Sequence, residues 1–213
     1  MGLIAQAEWQ QDLDLTLTGW LVSDAGWWEE LEDICVWGEE WAAAAVQVYS
    51  ENGINSPALY KWNEYGSGEW LFPFNSATGQ VQIRQISVDG DQRLWCGTNI
   101  ENSVNDLTST WGIWILNLSG DVDSSIGDEE TPGLMQFNFG SSFQELHGFS
   151  AAALPDSQPC WMATGMVLNP CCFHKEMPAL LMLDSNGNPL STFGDSGRVI
   201  VDVSLPGIAD TLG

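Results

Sequence analysis

Carboxylates crowd two stretches of this chain: Glu29, Glu30, Glu32, Asp33, Glu39 and Glu40 in the first, and Asp121, Asp123, Asp128, Glu129 and Glu130 in the second. Two carboxyl groups facing one sugar linkage can hydrolyse it, one protonating the leaving oxygen while the other activates water or attacks the anomeric carbon. A chain with 29 Asp and Glu offers many such pairs by chance, and no glycosidase motif surrounds these. The expectation is a non-catalytic module with no catalytic residue. A glycoside hydrolase or lyase acting on polysaccharide is the alternative.

Other chemistry is sparse. The two histidines, His147 and His174, have no Gly-x-Ser-x-Gly elbow to serve, and no phosphate-cradling glycine loop is present. Cys35, Cys96, Cys160, Cys171 and Cys172 form an odd set without the CxxC pairs of a zinc site, so no metal centre is expected from them. Oxygen ligands at alternate positions, Asp184, Asn186 and Asn188, imitate the start of a calcium loop. The distal glutamate is missing and the stretch falls where a hairpin must turn, so no cofactor is expected and calcium is the only candidate.

Twelve tryptophans are available as flat surfaces for a sugar ring. Trp95 and Trp161 stand in matching sequence contexts and are expected in the core. Trp27, Trp28, Trp37 and Trp111 lie in irregular stretches and are the candidates for touching a glycan or protein ligand.

A net charge of −24, with only Lys61, Lys175, Arg84, Arg93 and Arg198 as cations, excludes nucleic acid as a partner, because phosphate binding needs clustered cations. It also suits a protein kept soluble by a carboxylate-rich surface. No apolar run approaches the roughly 18 residues of a membrane helix, and no secretory leader is visible at the start.

The elements that carry these residues repeat. Leu116 to Gly127 aligns with Leu183 to Gly194, 67 residues on, and Trp95-Cys-Gly-Thr aligns with Trp161-Met-Ala-Thr, 66 residues on. A more diverged copy sets Ile34-Cys-Val36 against Ile86-Ser-Val88, and Tyr60-Lys-Trp-Asn63 against Ile115-Leu-Asn117. Each copy holds short runs of Trp, Ile, Val, Leu and Phe separated by Gly/Asp/Asn turns, about four strands per unit. That pattern describes an all-β chain of β-propeller blades, about three of them, in an incomplete ring or a fragment of a larger propeller. The units are expected near 21–75, 76–140 and 141–200, with a partial blade at 1–20 and the start of another at 201–213. Trp27 to Ile34 shares no repeat and is expected as an insertion or a twisted strand. Ala42 to Ala45, helix-friendly by propensity, occupies the place of Leu94 to Gly97 and is expected as strand.

Ile86-Ser-Val-Asp-Gly-Asp-Gln-Arg-Leu-Trp-Cys-Gly-Thr98, with Gly112-Ile-Trp-Ile-Leu-Asn117 after it, resembles the two-component-regulator propeller repeat. Leu183-Asp-Ser-Asn-Gly-Asn-Pro-Leu-Ser-Thr-Phe-Gly-Asp-Ser-Gly-Arg-Val199 is similar to the delta-60 repeat. These resemblances imply a secreted, surface or periplasmic bacterial protein, in some cases type IX secretion cargo. A ligand-sensing input domain is then a further alternative. Bare strand edges at the ends of the array would be covered by remaining blades of a parent chain or by a second copy.

Overall fold

The computed structural model describes residues 28–38, 41–49, 55–63, 65, 67–71, 73–74, 80–103, 106–127, 131–141, 143–153, 159–168 and 176–201. Among them there is no helix. Twelve strands form three four-stranded antiparallel sheets, each built from four consecutive strands. The first holds β1 (Trp28–Val36), β2 (Trp41–Tyr49), β3 (Asn55–Asn63) and β4 (Gly68–Leu71). The second holds β5 (Gln80–Val88), β6 (Leu94–Ser103), β7 (Asp106–Leu116) and β8 (Leu134–Phe137). The third holds β9 (Gln144–Ala153), β10 (Pro159–Leu168), β11 (Glu176–Leu183) and β12 (Arg198–Ile200). The expectation of blade-like all-β units is met. The flanking units expected at 1–20 and 201–213 lie outside the described residues, Val201 excepted.

The sheets pack face to face in chain order. Ala43, Ala45 and Leu59 of the first meet Ile83, Leu94 and Trp114 of the second in one apolar layer. Trp95, Ile113 and Ile115 of the second meet Phe149, Trp161 and Leu181 of the third in another. β2 is a central strand covered on both faces, which is why Ala42 to Val46 are all buried and why alanine suits it. Small side chains allow close approach on both sides, and burial outweighs helix propensity. Trp28 to Val36 is neither an insertion nor unshared: as β1 it is the edge strand of the first sheet, equivalent to β5 and β9.

The turn between the third and fourth strand is built the same way three times. Asn63 Oδ1 accepts the N–H groups of Tyr65 and Ser67, Asn117 Oδ1 those of Ser119 and Asp121, and Asp184 Oδ1 those of Asn186 and Asn188, all between 2.8 and 3.1 Å. A short side chain that caps the backbone two and four residues on fixes a tight hairpin.

Side chains of one sheet also hold the backbone of the next. Asp33 Oδ2 accepts Ile86 N–H at 3.0 Å and Gln47 Oε1 accepts Ile83 N–H at 3.3 Å. One sheet later, Gln85 Oε1 accepts Phe149 N–H and Asn99 Oδ1 accepts Leu146 N–H, both at 2.6 Å. These paired bonds align the repeats residue by residue: Asp33 with Gln85, Gln47 with Asn99, Ile86 with Phe149.

That alignment corrects one sequence expectation. Through the strand pairing, Trp161 takes the place of Leu94, and Met162 takes the place of Trp95. One residue along a strand reverses the face. Trp95 therefore points from the second sheet towards the third, and Trp161 from the third back towards the second. Their rings stack at 4.5 Å, with Phe149 lying parallel to Trp161 at 5.0 Å. Both are core residues, as expected, but they meet because their positions are not equivalent.

Candidate active site

The edge strands β1, β5 and β9 lie beside one another, β1 against β5 and β5 against β9. Each carries a β-bulge at the same level. The extra residue is Glu32 between Leu31 and Asp33, Arg84 between Ile83 and Gln85, and His147 between Leu146 and Gly148. A bulge turns a side chain out of the ordinary alternation, and bulges recur beside active sites for that reason. Here they direct a carboxylate, a guanidinium and an imidazole off the packed faces.

These groups are coupled. Arg84 Nη2 donates to Glu145 Oε1 at 2.9 Å and to Gln82 Oε1 at 3.0 Å, while Gln82 Nε2 donates to Glu101 Oε1 at 3.2 Å. The other oxygen of Glu145 lies 3.5 Å from His147 Nε2. Burial pushes the Glu32 carboxyl above its ordinary range; the nearby Arg84 charge pulls it down and Glu30 pushes it up. One guanidinium thus acts on two carboxylates from different sheets. Gly165 makes room behind them, since a Cβ there would sit 2.0 Å from the Glu145 carbonyl oxygen.

Asp33, next to Glu32, serves structure instead. Its carboxylate accepts the N–H groups of Ile34 and Ile86, and burial outweighs those bonds in raising its pKa. The Cys35 thiol is pushed up to about 12 by burial, with Asp33 adding to the effect, and burial raises Cys96 as well. Neither is a ready nucleophile.

The tryptophans proposed as ligand platforms are placed differently. Trp37 is fully buried and donates its Nε1–H to Gln92 O at 2.9 Å. Trp111 is fully buried with Phe139 against its ring at 4.6 Å. Both are packing residues: alternation along β7 turns Trp111 into the layer between the second and third sheets, and Trp37, just past β1, sits in the layer between the first and second. Trp28 opens β1, and Trp27 lies outside the described residues, as do Glu39, Glu40, Asp128, Glu129, Glu130, Cys171, Cys172 and His174. The calcium candidate is the third of the repeated turns: Asp184 spends its carboxylate on backbone N–H groups and on the Asn188 amide at 3.2 Å. Among the described residues, no three His, Cys, Asp or Glu side chains gather as a metal-binding set.

Of the groups at the three bulges, Glu30 and Glu32 stood in the acidic run and His147 was noted for lacking a triad. Arg84 entered only as a scattered cation, and Glu145 was missed. The signal was the repeat itself, because the residues just before Ile34, Ile86 and Phe149 fall at one level.

The comparisons with known proteins bear on the architecture. No family model matches the sequence, and no curated protein matches it, so neither repeat family is named by comparison. Among solved structures, a thermostable family-43 glycoside hydrolase superposes with a TM-score of 0.50 at 12% identity, over 84% of this chain and 55% of that one. That enzyme is a five-bladed β-propeller. The three sheets are propeller blades.

At that identity the likeness establishes the fold, and the chain spans about half the length of the structure it matches. It also corrects the expectation of a non-catalytic module. The protein sharing this blade arrangement is a glycoside hydrolase, so the fold does not support the expectation of a non-catalytic module. No helix among the described residues is long and apolar enough to cross a membrane.

Proposed function

We propose that the chain is part of a glycoside hydrolase, working outside the cytoplasm on polysaccharide, with Glu32 and Glu145 as its two carboxyl groups. The observation that carries this is the meeting beside the bulges: Arg84 of the second blade is ion-paired at 2.9 Å to Glu145 of the third and acts electrostatically on Glu32 of the first. Their environments differ in the way such chemistry needs. Desolvated Glu32 holds its proton to higher pH and is the acid for the leaving oxygen. Glu145, ion-paired to Arg84, faces the anomeric carbon as base or nucleophile. The fold likeness supports the reading by analogy.

The test is reducing-sugar release from a panel of polysaccharides, by the wild type and by Glu32→Gln and Glu145→Gln. Each substitution is expected to lower the rate by roughly 10²–10⁴-fold while the fold, followed by circular dichroism, is kept. NMR of the first-formed anomer then separates the base from the nucleophile role. Silence of the folded wild type across the panel, or full activity of both variants, overturns the proposal.

A further inference from the structure

We propose that Gln82 is a positioning residue, which aims the Arg84 guanidinium so that one charge serves both carboxyl groups of the site. The inference rests on the hydrolase reading for what that charge is used for, and on side-chain geometry for how it is aimed. Gln82 pairs in register with Asn99, whose side chain bonds Leu146, so this face of the second sheet is turned towards the third. Both ends of the Gln82 amide are committed: Oε1 accepts from Arg84 Nη2 at 3.0 Å, and Nε2 donates to Glu101 Oε1 at 3.2 Å. A guanidinium only donates and a carboxylate only accepts, so the amide can lie only one way round. Arg84 Nη2 is thus held from two sides, by Gln82 on its own strand and by Glu145 of the third sheet at 2.9 Å.

The repeat shows why an amide stands here. Gln82 lies two residues before the bulged Arg84, the place that Glu30 fills in the first sheet and Glu145 in the third; the strand partners at this level are Asn99, Gln47 and Met166. A glutamate at this place in the second sheet would take the same guanidinium nitrogen and cancel its charge. It would also set a like charge beside Glu145 and Glu101. The amide holds the guanidinium without neutralising it. The positive charge stays available to Glu145, its ion-pair partner, and to Glu32, whose carboxyl is pushed up by burial and by Glu30 and pulled down by Arg84.

Two variants of the whole chain test this: Gln82→Met keeps the length and removes both bonds, and Gln82→Glu keeps the shape and adds the charge. Nitrogen NMR of the guanidinium, assigned with Arg84→Lys, should show hindered rotation of its terminal groups in the wild type and freer rotation in Gln82→Met. Carbon NMR of the Glu32 carboxyl, assigned with Glu32→Gln, should show it titrating at higher pH in Gln82→Glu, because the new carboxylate cancels the pull of Arg84. A residue that only held the strands together would leave that midpoint in place. On a polysaccharide that the wild type cleaves, each variant should lose roughly tenfold or more in kcat with KM little changed. Unchanged rotation in Gln82→Met, an unmoved Glu32 midpoint in Gln82→Glu, or full kcat in both overturns the proposal. Should Gln82→Glu fail to fold, the rotation in Gln82→Met decides. A folded wild type that cleaves nothing overturns the hydrolase reading, and the two NMR measurements, made without substrate, still decide whether Gln82 aims Arg84.

Discussion

At the scale of single residues, Arg84 is the group on which the proposed chemistry turns. Its charge lowers the Glu32 pKa that burial raises, so the two influences set where the acid loses its proton. A raised carboxyl pKa means that the protonated, active form persists to higher pH and that the rate falls as pH climbs through it. Removing the guanidinium in Arg84→Met leaves burial unopposed. The falling limb of the pH–rate profile should therefore move to higher pH, whereas a role confined to holding the strands would lower the rate without moving the limb. The sequence showed Glu32 in an acidic run but neither Glu145 nor the meeting of the two. Glu32, Arg84 and Glu145 belong to three different sheets, and a bulge is a property of pairing that no single strand's composition records.

At the scale of strands and sheets, the fold was legible wherever a pattern repeats within one strand, and illegible where it depends on register. The alanine run was rightly placed in a central strand because its neighbours in the repeat are strands. The Trp95 and Trp161 match was one residue out, since local similarity of Trp-x-x-Thr outweighed the turn landmarks Asn117 and Asp184, which hold the correct spacing. Their contact makes a sharp prediction. Trp95→Ala and Trp161→Ala should each destabilise by about 3–5 kcal/mol in denaturant unfolding. The double variant should lose less than the sum, because each single change already breaks the stack. The bonds between sheets can be weighed in the same way. Asp33→Ala leaves the Ile86 N–H without its acceptor and should cost about 1–3 kcal/mol. Asp33→Asn keeps an acceptor oxygen and removes a desolvated charge, so it should cost clearly less. Equal losses would mean that the charge, not the bond, matters.

Over the whole molecule, charge is the dominant long-range quantity. Against 29 acidic side chains, the described cations are already engaged: Arg93 with Asp89, Arg84 with Glu145, Arg198 with the Asn138 carbonyl, and Lys61 with the Leu118 carbonyl beneath Trp37 and Trp41. Self-repulsion therefore opposes the compact state, and screening relieves it. The melting temperature should rise as NaCl is added from low ionic strength towards about 0.5 M, and a flat or falling trend would show that local pairs outweigh the net charge. Composition alone revealed this much. It could not reveal that Asp33, Gln47, Gln85 and Asn99, the side chains that take strand amides across the blades, all sit on the earlier blade.

That direction has an implication for how the protein is made. Asp33, Gln47, Gln85 and Asn99, which take strand N–H groups across the blades, each sit on the earlier blade and grip the later one, so a ribosome delivers each new sheet onto a template already in place. Shortening the chain from its C-terminal side should leave the remaining blades structured. Removing the first blade instead would strip the second of the grip on Ile83 and Ile86, leaving those amides of β5 unclaimed.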